Sequence, residues 1–341
     1  MSDASFNLAV VGATGAVGRE ILEVLERRKF PVGSLKLLAS SRSAGTSLPF
    51  RGRQLKVEVL NEECFEGIDL AFFSAGATRS KEFVPHALRA GTVVVDNSSA
   101  FRMRDDVPLV VPEVNASDIQ QQHGLIANPN CCAAILAVAL WPLHQQFGIR
   151  RITVSTYQSA SGAGAQAVEE LHNQIRQIAV GEPVTHAVFP HPLAMNLFSH
   201  NTPVAENGFN DEENKLIQEM RKMFHLPDLD IIPTCIRVPV ARAHCESVLI
   251  DTLHPIPVDR ARDILTRAPG VRVVDDVTKG HFPTPLEATG DLDVLVGRIR
   301  QAGNDQSLAL FLSGDQLLKG AAWNAVQIAE YLIQTTRLTA V

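Results

Sequence analysis

The chain has 341 residues, of which 45% are hydrophobic and 20% charged, as in an ordinary soluble globular protein of two or three domains. Its 31 basic and 37 acidic side chains give a net charge of −6 without a basic block, which argues against a nucleic-acid partner. The sequence has no apolar run of about 18 residues and no signal-peptide pattern, so we expect a cytoplasmic protein without a membrane partner. The five cysteines lack metal-ligand spacing, which predicts reduced thiols and no metal.

The first predicted strand, Phe6–Val11, runs directly into a glycine-rich turn and an amphipathic helix. Gly12, Gly15 and Gly18 give the spacing G-x-x-G-x-x-G in the strand–turn–helix setting of a dinucleotide-binding motif. Glycine permits the tight turn and lets the pyrophosphate approach the backbone at the helix N-terminus. A purely structural turn is the alternative. The motif predicts cofactor contacts from Gly12, Thr14, Gly15, Ala16 and Val17.

A second strand pattern at Leu35–Ala39 ends in Ser40-Ser41-Arg42-Ser43. An acidic residue at this strand end would bind the ribose 2′-hydroxyl of NAD, whereas an arginine among hydroxyl groups suits the 2′-phosphate of NADP. We therefore expect NADP(H) as the cofactor, bound by Ser40, Arg42 and Ser43, with a solvated surface loop as the alternative.

Two further strand patterns, Asp69–Phe73 and Thr92–Asp96, each end in a loop of small residues, and helical stretches separate the strands. This alternation predicts an α/β fold with an N-terminal, Rossmann-type doubly wound parallel sheet over residues 1–130. Ligands bind at the carboxyl ends of such strands, so Ser74 and Gly76 are expected to face the cofactor.

The stretch Asn128-Pro129-Asn130-Cys131 leads into an almost wholly apolar helical sequence. A thiol at a helix start meets unpaired N–H groups and the positive end of the helix dipole, and both favour the thiolate. Asn130 offers an amide donor suited to an oxyanion. The pattern predicts Cys131 as a nucleophile, and a small buried thiol that only fills space is the alternative.

Beyond this helix the patterns change to those of an α+β catalytic and dimerisation domain, expected over residues 131–314. Arg151–Gln158 alternates as a strand, and a helix is predicted from Ala165 to about Ala179 with Leu171, Ile175 and Ile178 on one face. Long loops at 181–210 precede a helix from Asp211 to about Met223. Further strands are predicted at Thr234–Val240, where Arg237 faces away from its apolar neighbours, and at His244–Ile250, Val294–Arg300 and Ser307–Phe311. A last helix from Asp315 to Thr336 is expected to complete the first domain with residues 315–341.

Several ordered stretches together resemble the aspartate-β-semialdehyde dehydrogenase family over nearly the whole chain. They are Gly12–Gly18, Ser41–Ser43, Asp96–Arg102, Val107–Asn115, Asn128–Cys131, Ser155–Gln158, Ser161–Gly164, Arg237–Val240 and Lys319–Ala322. The resemblance implies a homodimeric, NADP-dependent, phosphorylating aldehyde dehydrogenase that reduces L-aspartyl 4-phosphate to L-aspartate 4-semialdehyde, on the route to lysine, threonine and methionine.

The same resemblance implies the site residues. Cys131 matches the nucleophile, His244 the general acid and base, and Gln158 the residue that orients the acyl-enzyme. For the substrate it implies Arg237 at the carboxylate, Glu212 at the amino group, and Arg102 and Lys215 at the phosphate. Further cofactor contacts are expected from Ser161, Gly162 and Gln316.

Some positions depart from the family pattern. Ala243 and Cys245 flank the histidine where glycine and serine are usual, and Cys132 replaces a hydroxyl residue. If residue 243 needs a left-handed backbone, alanine costs roughly 1–2 kcal/mol there. Two alternatives stay open: a catalytically weak or inactive NADP-binding paralogue, and a related acyl-phosphate reductase of the N-acetylglutamyl-phosphate type. Glu212 counts against the latter, since an acetylated amine carries no positive charge.

Overall fold

The computed structural model describes residues 5–335, which divide into two compact units. One unit comprises the described residues up to Asn130 together with those from Ala321 onward. The other runs from Cys131 to Gly320. The boundary at Cys131 coincides with the start of the helix that carries the predicted nucleophile.

The described part of the first unit contains a seven-stranded sheet in the order β3-β4-β2-β1-β5-β6-β7. Its pairs are parallel except for the antiparallel edge pair β3–β4, which confirms the predicted doubly wound class. The strands are β1 (Phe6–Val11), β2 (Val32–Ala39), β3 (Ser47–Phe50), β4 (Arg53–Val59), β5 (Leu70–Phe73), β6 (Val93–Asp96) and β7 (Leu125–Ala127).

The central strands are apolar because helices cover both faces of a parallel sheet. Every residue of β5 is buried, and so are the last four residues of β1. The helix after β1 buries Ile21, Leu22 and Leu25, as its amphipathic spacing predicts. The helices of this part are α1 (Ala16–Arg27), α2 (Ala77–Arg89) and α3 (Pro112–Asn115), with 3₁₀ turns at Glu62–Phe65 and Ala116–Gln121.

The second unit contains a mixed seven-stranded sheet among its described residues, in the order β12-β13-β14-β11-β8-β10-β9. The pairs β8–β10 and β12–β13 are parallel and the others antiparallel. The strands are β8 (Ile149–Gln158), β9 (Phe198–Ser199), β10 (Asp230–Arg237), β11 (His244–Thr252), β12 (Val271–Val273), β13 (Val294–Ala302) and β14 (Asn304–Gly314).

One helix of the second unit is apolar all round and packs in its core, as such helices do. It begins at Cys131 and buries residues 132–140 without interruption. A different helix, starting at Ala165, buries Leu171 but exposes Ile175 and Ile178. The helices are α4 (Cys131–Phe147), α5 (Ala165–Val180), α6 (Asp211–Phe224), α7 (Val258–Arg267) and α8 (Pro285–Ala288), with a 3₁₀ turn at Ala160–Ala163.

The C-terminal segment differs from the single helix predicted from Asp315 to Thr336. A π-helical turn covers Leu318–Ala322, and the α-helix proper, α9, spans Trp323–Gln334. Residues 336–341 of the expected terminal helix lie outside the described residues. Within residues 5–335, we find no helix long and apolar enough to span a bilayer.

Candidate active site

Cys131 is the first residue of α4, so its side chain lies at the helix start, as predicted. It is partly exposed, whereas Cys132 is 1% exposed, so the two thiols point in different directions. Successive residues of a helix are rotated by about 100°, which explains the difference. Asn130, immediately before Cys131 in the chain, is buried and is the last residue of the first unit.

The two adjacent thiols have opposite acidities. A hydrogen bond from the Cys132 thiol, together with the adjacent His244, lowers the pKa of Cys131 well below that of an ordinary thiol, although burial opposes this. The same hydrogen bond and burial raise the pKa of Cys132 well above the ordinary value. Cys131 is therefore the more acidic thiol of the pair, and Cys132 is its hydrogen-bond donor.

His244 begins β11 and is fully buried. The backbone N–H of Ser159 donates to Nδ1 of His244 over 3.0 Å, and the Ser159 hydroxyl is also 3.0 Å from that nitrogen. Nε2 is buried and has no hydrogen-bond partner among the described residues. The sulfurs of Cys131 and Cys132 and a ring nitrogen of His244 lie within 4.8 Å of one another. Since Nδ1 is occupied, Nε2 is the nitrogen available to the thiols.

The residue before the histidine has a left-handed backbone: φ of Ala243 is 70°. Its N–H donates to Oε1 of Gln316 over 2.8 Å, and the Gln316 amide donates to Oγ of Ser161. Arg242 forms an ion pair of 2.8 Å with the buried Asp315. These contacts hold the strained turn that presents His244. They also place Ser161 and Gln316, both expected at the cofactor, in direct contact.

Two glycines lie so close to Cys131 and His244 that a side chain at either glycine would crowd its neighbour. A Cβ at Gly320 would lie 2.7 Å from Cβ of Cys131. A Cβ at Gly162 would lie 3.0 Å from Cε1 of His244 and 3.1 Å from its Nε2. Gly162 was predicted at the cofactor, and its position in the second unit is beside the histidine ring.

Gln158 ends β8 and is 1% exposed. Its side-chain amide donates to Oγ1 of Thr156 over 3.3 Å, and its backbone carbonyl accepts the N–H of Val238 over 3.1 Å. In the parallel pairing of β8 with β10, Gln158 is directly opposite Arg237. The ends of these two strands therefore bring the predicted acyl-orienting and carboxylate-binding residues side by side.

Arg237 lies on the more buried face of β10 and is 6% exposed. Its NH1 donates to the carbonyl of Ser159 over 3.3 Å, and its NH2 lies 2.7 Å from Nε2 of His200. The guanidinium is 5.6 Å from the ring centre of Phe189, while Nε is buried and has no hydrogen-bond partner within residues 5–335. Burial lowers the pKa of Arg237, and nearby Glu212 opposes that effect.

Glu212, the predicted contact to the substrate amino group, and Lys215, one of the two predicted phosphate contacts, lie at the start of α6. Glu212 is 7% exposed, and its Oε2 lies 3.3 Å from Nζ of Lys215. The helix is capped by Asn210, one residue before the predicted start. Its side chain accepts the N–H of Glu213, while the Glu213 carboxylate accepts the N–H of Asn210.

Glu246 is a buried acid that the sequence reading did not identify. It is fully buried, and neither carboxyl oxygen has a hydrogen-bond partner among the described residues. Burial, with the charge of Cys131 adding, raises its pKa well above the usual range. Because side chains alternate along a strand, Glu246 lies on the same face of β11 as His244. This spacing of two residues is the sequence signal that could have predicted Glu246 near the site.

The glycine-rich turn of the first unit has the geometry of a phosphate cradle. Gly12 has a φ of 85°, and a Cβ there would lie 2.3 Å from the carbonyl oxygen of Ser74. A Cβ at Gly18 would lie 2.3 Å from the carbonyl oxygen of Gly12. Gly15 is the N-cap of α1, so Ala16 and Val17 open that helix. The turn therefore tolerates no side chain at Gly12, and the first turn of α1 tolerates none at Gly18.

A pocket of about 530 Å³ adjoins this turn. Two cationic side chains line it, Arg42 and Arg79, and none of the described residues that line it is acidic. Arg79 was not predicted; Gly76, which was, is the N-cap of α2 and does not line the pocket. The predicted residues that line it are Gly12, Thr14, Gly15, Ser40, Arg42, Ser43 and Ser74.

Arg102 belongs to the first unit and is 8% exposed. Its guanidinium donates to the backbone carbonyls of Asn128 and Asn97, each over 2.8 Å. Asp96 nearby accepts hydrogen bonds from Ser80 and Ser98, yet burial raises the pKa of its carboxyl group. Arg102 is thus held firmly by carbonyl oxygens at the carboxyl end of the sheet.

Two family models match the chain. The model described as "Semialdehyde dehydrogenase, NAD binding domain" matches residues 7–122, and "Semialdehyde dehydrogenase, dimerisation domain" matches residues 140–319. The chain is 52% identical to the aspartate-semialdehyde dehydrogenase of Synechocystis sp., with 96% of this chain and 97% of the relative covered. It is 43% identical to that of Bacillus subtilis, with 96% and 97% covered.

Solved structures agree with these relatives. The crystal structure of aspartate semialdehyde dehydrogenase II from Vibrio cholerae has a TM-score of 0.94 and 41% identity, with 97% of this chain and 99% of that chain covered. A structure of the Vibrio cholerae enzyme complexed with ASA has a TM-score of 0.93 at 42% identity and the same coverage.

Proposed function

The chain belongs to the aspartate-semialdehyde dehydrogenase family, as the resemblance in its sequence indicated, and we propose that Cys131 is the nucleophile of that reaction here. The reaction is the NADPH-dependent reductive dephosphorylation of L-aspartyl 4-phosphate to L-aspartate 4-semialdehyde, which leads to lysine, threonine and methionine. One observation carries the assignment: a low-pKa thiol at a buried helix start, beside the unpartnered Nε2 of His244.

The proposed chemistry follows from these groups. The Cys131 thiolate attacks the acyl carbon, and the bond from that carbon to the phosphate oxygen breaks. Inorganic phosphate departs, and the acyl group remains on Cys131 as a thioester. When bound, NADPH supplies the hydride that reduces this thioester. Nε2–H of His244 donates to the oxyanion that results, and cleavage of the C–S bond then releases the aldehyde and regenerates the thiolate. Gln158 and Asn130 orient and polarise the acyl group through their amides.

The match to an NAD binding domain supports a nicotinamide cofactor in the first unit. We propose NADP(H) rather than NAD(H), because Arg42 and Arg79 line the pocket and no described lining residue is acidic. Two guanidinium groups favour a 2′-phosphate, whereas a ribose hydroxyl would call for a carboxylate. Ser161, Gly162 and Gln316 are proposed as further contacts from the second unit.

We propose that the substrate is a free amino acid derivative. The fork-shaped guanidinium of Arg237 suits the α-carboxylate, and its Nε has no partner among the described residues. Glu212 would pair with the ammonium group, and Lys215 and Arg102 with the phosphate. A carboxylate at the amino end disfavours an acetylated substrate, since the amide has no positive charge to compensate its burial.

We also propose a homodimer assembled through the second unit, in keeping with its match to a dimerisation domain. Large apolar side chains are exposed on α5 and in the segment after it: Ile175, Ile178, Met195 and Leu197. Exposed apolar side chains are the kind that a subunit interface would cover, which supports the proposal. The five free cysteines suit the reducing cytoplasm, where we expect the enzyme to act.

The decisive assay follows NADP⁺ reduction with L-aspartate 4-semialdehyde and phosphate, compared with N-acetylglutamate semialdehyde and with NAD⁺. The proposal predicts turnover with the first substrate and a preference for NADP⁺. Preference for the acetylated aldehyde would identify the related acyl-phosphate reductase. Cofactor binding without turnover of either aldehyde would identify an inactive paralogue.

A further inference from the structure

His200 lies beside Arg237 because of backbone pairing. The two-residue strand β9 pairs antiparallel with the end of β10, with Phe198 opposite Arg237. The N–H of His200 then donates to the carbonyl of Cys235 over 2.8 Å. Nε2 of His200 lies 2.7 Å from NH2 of Arg237. A guanidinium can only donate, so Nε2 is the acceptor of this bond.

That bond determines what the other ring nitrogen does. With Nε2 accepting, the neutral ring carries its proton on Nδ1, which lies 3.2 Å from Oγ1 of Thr202 and donates to it. Burial, reinforced by the positive charge of Arg237, lowers the pKa of His200 to about 4, so the ring is neutral at neutral pH.

Thr202 connects this ring to the start of α6. Its Oγ1 accepts the backbone N–H of Glu212 over 3.2 Å, and its hydroxyl donates to Oδ1 of Asn210 over 3.4 Å. A continuous path of hydrogen bonds therefore runs from the guanidinium of Arg237 through His200 and Thr202 to the backbone of Glu212.

A second connection joins the same two elements. Oε1 of Glu213, the capping-box residue of α6, accepts the N–H of Cys235 on β10 over 3.0 Å. The helix start and the strand end are thus fixed to each other at two places. The path through His200 and Thr202 is the one that reaches the guanidinium itself.

We propose that His200 and Thr202 are positioning residues that set the separation between Arg237 and Glu212 and thereby select a substrate with both an α-carboxylate and a free α-ammonium group. The inference rests on the proposed function, in which Arg237 and Glu212 bind these two groups. The two groups are attached to one carbon, so their spacing is fixed. A long arginine side chain matches it only if its own position is fixed.

The test compares matched variants. Thr202→Val keeps the shape but removes the hydroxyl, whereas Thr202→Ser keeps the hydroxyl. We measure kcat and KM for L-aspartate 4-semialdehyde, NADP⁺ and phosphate, and kcat/KM for succinate semialdehyde, which lacks the amino group. Thr202→Val should raise the KM for L-aspartate 4-semialdehyde roughly 10- to 100-fold and leave the KM for NADP⁺ unchanged. The ratio of kcat/KM for L-aspartate 4-semialdehyde to kcat/KM for succinate semialdehyde should fall by a similar factor in Thr202→Val. Thr202→Ser should resemble the wild type in both measurements.

A second pair covers the case in which Thr202→Val does not fold. His200→Gln retains an acceptor for Arg237 and a donor for Thr202, whereas His200→Leu retains neither, so only the leucine variant should lose the preference. A merely destabilised protein would lose active fraction with every KM unchanged. The positioning role is wrong if Thr202→Val and Thr202→Ser show the same preference for L-aspartate 4-semialdehyde over succinate semialdehyde, or if His200→Leu and His200→Gln do. The proposed function stands in that case. A wild type that oxidises no L-aspartate 4-semialdehyde overturns both.

Discussion

The backbone N–H of Ser159 donates to Nδ1 of His244 over 3.0 Å, and this contact decides which ring nitrogen carries the proton. An amide N–H cannot accept, so Nδ1 presents its lone pair and the neutral ring is protonated at Nε2. The proton thus lies on the nitrogen that has no other partner among the described residues. In the proposed reaction, Nε2–H of His244 is the group that donates to the acyl oxygen.

Removing the N–H of Ser159 should impair catalysis more than removing its hydroxyl. Ser159 has a φ of −68°, close to the value of about −65° that proline requires, and Gln158 before it is extended. Ser159→Pro should lower kcat roughly 100-fold and alter its pH profile, because the ring loses its orientation. Ser159→Ala loses the hydroxyl contacts to His244 and Ser161 but keeps the N–H, and should cost about fivefold. Equal kcat values in the two variants would contradict this tautomer assignment.

Cys132 should control the acidity of Cys131. Cys132→Ala removes the S–H donor, so the pKa of Cys131 should rise, whereas Cys132→Ser keeps a donor and should preserve it. The measurement is the rate of alkylation by iodoacetamide against pH. Cys235 and Cys245 interfere little, because burial raises their pKa values to about 12 and about 11. A wild-type profile in Cys132→Ala would remove this role from Cys132.

Glu246 should make stability depend on pH. Burial raises its pKa in the folded state, so the native protein retains a proton that the unfolded chain releases above about pH 4.3. Its contribution to stability is complete below that pH and declines as pH rises, by about 1.4 kcal/mol per unit up to the folded pKa. Urea unfolding from pH 5 to pH 8 should therefore show the wild type losing stability relative to Glu246→Gln. Parallel curves would show that Glu246 does not titrate in this way.

Arg42 should read the 2′-phosphate of the cofactor. Arg42→Ala removes one of the two cations that line the pocket, so the Kd for NADPH should rise roughly 10- to 100-fold and that for NADH less than about twofold. Arg53→Ala is the control, since Arg53 is exposed and outside the lining. Fluorescence titration with both cofactors measures the effect, and equal losses for NADPH and NADH would exclude this role.

The core of the first sheet could be predicted from the sequence because its central strands are apolar runs. The predicted first strand has the bounds of β1, and the helix predicted at Cys131 begins there. The edge strands β3 and β4 were missed; in β4 only Val57 is buried, so the apolar run that marks the central strands is absent there. Helix α7 was missed because only Ala261 and Leu265 are buried in a highly charged segment.

The predicted start of the last helix, Asp315, was wrong because tertiary contacts hold the residues before Trp323. Asp315 accepts from Arg242 and from the N–H groups of Gly290 and Leu317, and Gln316 binds the backbone of Ala243. These contacts hold the first residues outside a helix. The local sequence favours a helix, but it does not reveal hydrogen-bond partners more than 70 residues away, such as Arg242 and Ala243.

In the site, too, some features could be predicted from the sequence and others could not. Ala243 does adopt the left-handed backbone anticipated from its departure from glycine. The strain of roughly 1–2 kcal/mol is partly offset by burying its methyl group among Val274, Ala288 and Leu295, worth about 0.8 kcal/mol. His200, Glu246 and Arg79 were not predicted, because their roles depend on neighbours that only the fold supplies.

The most direct test of the account is NADP⁺ reduction by Cys131→Ser and Cys132→Ser with L-aspartate 4-semialdehyde and phosphate. Serine at position 131 lacks an ionisable thiol, so turnover should fall at least about a thousandfold while NADPH binds with the wild-type Kd. Cys132→Ser should retain wild-type turnover or exceed it, because its hydroxyl still donates to Cys131. Wild-type turnover in Cys131→Ser would contradict the assignment of the nucleophile.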